Sequence, residues 1–445
     1  MKRLGSLGSF LMLAAKRIVL ILFTVICVHW TCTDAVAKDF EVWLVDQSNS
    51  PGKTYGGTIH IFDGSDLTGS SASRAVPTDI IDLSGAVSEL CLAQTGFNPV
   101  RPHMIVFNST ETHAALAFVA SGHVVIFDAR HRVPLACMRM KAGEGGARQA
   151  HAVWPTPDDR YLLVSNQNGK LFERIATDYE NDVFAHEPDI ALDLANGITP
   201  SGAPRQSAGI RPDNAPICPF VPGSGGPAFL SLRGGGMFAV DWESMAIVAE
   251  YDLNSIGPNG YGFIEAGGWV YLNAGGATAT NPYEFTVYRL PLTGYFPPSL
   301  QPNVPTPELL FTDTSADRDA HGVAASKGGR YVWMFDRAAN LAEVFDAASG
   351  ERINTVNLIS DESFDPSPDL AGMAPSGTYF FVSLRGPNPL SGDPHASTGS
   401  TPGLGVIKLG RNGADGVLKS VVRISNIDAL GVERADAHGI RVREK

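Results

Sequence analysis

The chain closes on "DAHGIRVREK", Asp436 to Lys445, which begins as "DAHGVAASKG" does at Asp319, where the same letters open a much longer pattern. From His321 to Leu358 that pattern reads "HGVAAS", "RYVWMFD", "NLAEVFDA" and "ERINTVNL", four short runs punctuated by Gly, Asn and Asp. Apolar alternation of period 2 between turn formers signals strands. In the second run Tyr331, Trp333 and Phe335 alternate with Val332 and Met334, so both faces are apolar, as in a sheet packed between two other sheets. The same order recurs from His103, from His151 and from Ile217, and more weakly near Tyr261 and Asp369. These make six complete units, and no long period-3.6 pattern competes with them.

A seventh unit is split. "EVWLVDQ", "GTIHIFDG" and "PTDIIDLS" near the start match the second, third and outer strands of a unit but lack a first strand, while "HGIRVRE" at the end is a first strand alone. Joined, they complete one unit, and the chain ends on the start of a repeat because that strand closes a ring. Closure removes the open sheet edge that an unclosed array would expose. The expectation is an all-β, seven-bladed β-propeller with four antiparallel strands per blade, its ring closed by the C-terminal strand joining the N-terminal blade, over residues 38–445.

The units have neither the Gly-His and Trp-Asp pairs of WD40 repeats nor a kelch di-glycine. "RYVWMFDRAANLAEVFDAASGERINTV", Arg330 to Val356, resembles the YVTN-type repeat, and the likeness extends more loosely along the rest. Similar propellers include lactonases, the heavy subunit of quinone-dependent amine dehydrogenases and the haem d1 domain of nitrite reductases. The resemblance implies architecture, and no motif carries one of these activities onto a residue here.

Lys2, Arg3, Lys16 and Arg17 precede the apolar run Ile18 to Val28, and "AVA" at Ala35 to Ala37 supplies small residues for cleavage, so residues 1–37 read as a secretory signal peptide. The run falls short of the roughly 20 residues a spanning helix needs. The expected product is a periplasmic or secreted monomer with no membrane span. A formal charge of −12 argues against nucleic-acid partners. Three cysteines lie beyond the leader. The blade order separates Cys137 from Cys218 and leaves Cys91 as the partner within reach of Cys137.

No GxSxG, P-loop, HExxH or EF-hand signature is present. The chemistry is positional instead. The residue opening each first strand sits at one mouth of the central channel; round the ring these are His103, His151, Pro216, Asn259 or Gly260, His321, Asp369 and His438. Ring closure makes the four histidines and Asp369 one continuous arc. Imidazoles with one carboxylate suit Zn, Cu or Fe better than Mg or Ca. The competing reading is that each histidine bonds its own blade's turn. Second strands end on the same face and bring Arg233, Arg337 and Arg385 there, where guanidinium groups suit an anionic ligand or pair with carboxylates. His395 lies on a long loop of this face. Two functions follow: a propeller binding a transition metal or small ligand at the mouth, open to oxidoreductase or hydrolytic chemistry, or a non-enzymatic scaffold presenting that face to a protein or glycan.

Overall fold

A computed structural model describes residues 39–275, 285–295, 304–315, 318–390 and 397–445. Residues 1–37, read above as a signal peptide, and His395 lie outside these residues. The described strands form seven antiparallel sheets of four strands, one carrying a short extra strand, Leu192–Asp193. Their innermost strands are, in order, Ala437–Glu444, Pro102–Phe107, Ala150–Pro155, Pro216–Phe220, Phe263–Ala266, Ala320–Ala325 and Pro368–Met373. Each of these packs against the next, and the last packs against the first, so the ring closes.

The split blade is as expected. Ala437–Glu444 pairs antiparallel with Phe40–Asp46, which continues through Thr58–Asp63 to Asp79–Asp82. All seven residues of Phe40–Asp46 are buried, whereas Asp79–Asp82 at the rim has none. Second strands are double-faced because blades stack. Trp43 meets Phe107 edge-on at 5.4 Å between the first two blades, and Trp333 meets Phe380 at 5.4 Å between the last two. The helix Ala86–Thr95 connects the composite blade to the next, and its Cys91 forms a disulfide with Cys137 on the outer strand Val133–Arg139.

Two local devices set the channel. Register shifts interrupt six of the seven pairings between first and second strands: at Pro102/Ile105, Ala150/Ala152, Pro216/Pro219, Ala320/Val323, Pro368/Ala371 and Leu44/Asp46. A bulge re-aims the residue it carries; five of these bulges carry an opening residue, the four histidines and Asp369, whereas the bulge of the fourth blade carries Ile217 and leaves Pro216 paired with Leu232. The glycine after histidine then lets neighbouring inner strands touch. A Cβ on Gly322 would lie 1.9 Å from the Asp369 carbonyl oxygen, and one on Gly439 2.2 Å from that of His103. The "HG" pair is thus a packing unit in which one residue points inward and the other admits the next blade.

Candidate metal centre

The opening residues converge because a repeated hinge fixes the start of each inner strand. The side chain ending the second strand accepts the backbone N–H two residues before histidine: Asp46 from Asp436 at 2.9 Å, Asn166 from Gln149 at 2.8 Å and Asp336 from Asp319 at 3.0 Å. The next residue returns its own N–H to that same backbone carbonyl, as in Gln47 to Asp436, Gln167 to Gln149 and Arg337 to Asp319.

His103, His151, His321 and His438 are all buried, and Asp369 is fully buried. His103 stacks on His438 with ring centroids 3.8 Å apart and lies 4.6 Å from His151, while His321 meets His438 edge-on at 5.4 Å. The four expected histidines and the carboxylate therefore form one cluster. His321, Asp369 and His438 offer ligand atoms close enough together to hold a metal ion.

The partners of each ring nitrogen set its tautomer. His103 Nδ1 donates to Gln47 Oε1 at 3.0 Å, His151 Nδ1 to the Ile217 carbonyl at 2.9 Å, and His438 Nδ1 to Asp369 Oδ2 at 2.7 Å. In each neutral ring this places the lone pair on Nε2. His103 Nε2 and His151 Nε2 face each other at 3.3 Å. His321 Nδ1 abuts Asp369 Oδ1 out of hydrogen-bond alignment, so both atoms are buried without a hydrogen-bonded partner.

Charge follows from burial. Burial, reinforced by neighbouring positive groups, pushes His103 well below the ordinary imidazole value. It pulls His321 down to about 4 and lowers His438, against the opposing pull of Asp369 on both. Burial would raise Asp369, but the adjacent imidazoles and Arg337 outweigh it and hold the carboxyl well below its usual range. At neutral pH the cluster is neutral imidazoles around an ionised carboxylate.

The three expected arginines separate into two roles. Arg385 grips Asp436 with Nε and Nη2, both at 2.7 Å, and reaches Asp369 with Nη1 at 2.9 Å. Arg337 grips Asp319 at 2.8 and 3.1 Å and stands 3.6 Å from Asp369. Both are buried and bound to carboxylates. Arg233 is more exposed and pairs with Asp213 at 2.6 Å. Asp319 and Asp436, each two residues before a histidine, hold these guanidinium groups.

Position five of the ring differs from expectation. Tyr261, rather than Asn259 or Gly260, faces the cluster and stacks on His321 at 4.4 Å. The ladder of this blade begins at Phe263, and Gly275 returns its N–H to the Pro258 carbonyl, so the inner strand carries one residue more before its ladder than the His321 blade does, and the inward-facing residue falls later in sequence. Gln47 was also missed, although it follows its second strand as Arg337 and Arg385 follow theirs, and superposing the repeats would have revealed it.

No family model matches the chain, and no curated protein does. Among solved structures, a protein from Lactobacillus plantarum is similar at a TM-score of 0.54 and 10% identity, over 91% of this chain and 100% of that one. The Swd1 (Cps50) β-propeller domain of Myceliophteria thermophila gives 0.49 at 11% identity, over 76% and 92% of the two chains. Hydrazine synthase of Kuenenia stuttgartiensis gives 0.46 at 13% identity, over 64% and 74%. At these identities the likeness concerns the fold alone.

Proposed function

We propose that this chain is an exported β-propeller that holds one transition-metal ion at the histidine-lined channel mouth. The observation that carries this reading is the nitrogen arrangement. His103, His151 and His438 each donate Nδ1–H to an oxygen acceptor, the pattern that orients metal-ligating imidazoles and strengthens Nε2 as a ligand. Two nitrogens bound to one tetrahedral ion at about 2.0–2.1 Å stand roughly 3.3–3.4 Å apart; His103 Nε2 and His151 Nε2 are 3.3 Å apart. Asp369 is positioned to ligate or to orient His438 and His321, with Arg385 and Arg337 balancing its charge. Imidazole-rich ligation with one carboxylate suits Zn, Cu or Fe. Such an ion supplies Lewis-acid or redox chemistry, consistent with a hydrolase or an oxidoreductase acting on a small molecule at this face.

Export draws support from the leader and from the Cys91–Cys137 disulfide, since disulfides persist in oxidising compartments. The YVTN-type likeness of residues 330–356 fits such a surface or periplasmic propeller. Elemental analysis of protein purified without chelator tests the metal. Near-stoichiometric Zn, Cu or Fe is expected, lost in a His321→Gln, His438→Gln double variant whose circular dichroism matches the parent. Protein that carries no metal, and whose melting is indifferent to all three, overturns the reading and favours the non-enzymatic scaffold.

A further inference from the structure

Beyond the histidine cluster the channel widens into a cavity of about 500 Å³. Tyr261, stacked on His321, is shared between the two. The wall is largely apolar, with Trp154, Phe220, Phe263, Leu370 and Met373 among its lining residues. One guanidinium interrupts it. Arg441, three residues beyond His438 on the closing strand, lies 5.4 Å over the Trp154 ring and donates Nη1 to the Ile440 carbonyl at 3.1 Å.

Arg441 differs in its pairing from the buried arginines. Arg211, Arg318, Arg337 and Arg385 each pair with a buried carboxylate. Among the described residues Arg441 forms no ion pair with a carboxylate. The two carboxylates that line the cavity are engaged elsewhere: Asp159 accepts from Ser109 N and Oγ at 3.0 and 2.6 Å, and Glu265 from Ser224 N at 3.1 Å. A half-buried guanidinium in an apolar wall, held by an aromatic face and one carbonyl, lacks a counter-charge there, which is costly to folding. Burial draws its pKa down to about 10, which leaves it charged at neutral pH.

We propose that this cavity binds a mostly apolar small molecule bearing a single carboxylate, with the carboxylate paired to Arg441 and the hydrocarbon against Trp154, Phe220 and Phe263. The volume lies within the roughly 300–1,000 Å³ of small-molecule sites, whose few polar groups set orientation, and a guanidinium fork matches a carboxylate in two parallel bonds. The proposal does not rest on the metal, and chelator-treated full-length protein tests it by isothermal titration calorimetry with octanoate, octanol and acetate. Saturable 1:1 binding of octanoate is expected, with octanol at least tenfold weaker and acetate weaker still. Arg441→Met, which keeps the apolar stem, should weaken octanoate at least tenfold, change octanol less than threefold and raise the melting temperature of the free protein. Met373→Trp, which fills the cavity with Arg441 intact, should abolish octanoate binding. Absent octanoate binding, equal binding of octanol, equal binding of acetate, or unchanged octanoate affinity in Arg441→Met would each overturn the proposal. Were Arg441→Met not to fold, retained octanoate binding in Met373→Trp would do the same.

Discussion

Deleting residues 436–445 removes the strand that closes the ring, and the structure sets the size of the effect. Ile440 is fully buried against a cluster that includes Val42, Leu44, Phe381 and Leu404; exposing such a side chain forfeits about 1.5–3 kcal/mol. Asp436 is the two-pronged partner of buried Arg385, and breaking a buried pair by removing one member costs about 3–5 kcal/mol. These two losses alone reach roughly 5–8 kcal/mol, before any ladder hydrogen bond to Phe40–Asp46 at about 1 kcal/mol net apiece. Against a typical total of about 5–15 kcal/mol, the truncated chain should be unfolded or aggregating at 37 °C. Urea titrations followed by far-ultraviolet circular dichroism, with light scattering in parallel, measure this. A synthetic peptide of residues 436–445 should restore part of the lost stability by adding itself to the open edge. A truncated protein with the parent's urea midpoint would refute the claim that this strand carries the closure.

Three further outcomes follow from particular contacts. Gln47→Leu removes the acceptor that orients His103 and should weaken metal binding about 10- to 100-fold, as read by competition with a chromogenic chelator, while destabilising the metal-free protein by the roughly 1–3 kcal/mol of one buried donor left unpaired. His321, lowered to about 4 in the folded chain, binds its proton in the unfolded chain from about 6.5 downward, so metal-free stability should fall by about 3 kcal/mol from this group as pH drops from 6.5 to 4. Asp46, raised to about 6 by burial, opposes that slope, so the discriminating measurement is the difference between parent and His321→Gln across the window, with a pH-independent difference refuting the argument. Reducing Cys91–Cys137, which closes a separation of 46 residues, should cost about 4 kcal/mol on the chain-entropy estimate and appear as a lower melting temperature in dithiothreitol.

The architecture was legible in the sequence because strand period and turn chemistry are local, and because seven copies of one pattern reinforce one another. The split repeat even identified which terminal segments must pair. The arc of His103, His151, His321, Asp369 and His438 was legible for the same reason: residues at one repeat position must meet wherever the blades meet. Which nitrogen each ring turns inward was not, since that depends on acceptors far off in sequence, such as Gln47 for His103 and the Ile217 carbonyl for His151. The arginines show the same division. Their strand-end position placed them at the mouth, but only the packed ring decided that Arg337 pairs with Asp319 of its own blade whereas Arg385 reaches Asp436 on the next. Tyr261 took the fifth position through an extra inner-strand residue between Pro258 and Phe263, a backbone event that no residue type announces. Arg441 reads in sequence as one of two alternating arginines, with Arg443, on a closing strand; its place in an apolar wall, without the carboxylate given to the buried arginines, is set by seven inner strands meeting around one axis.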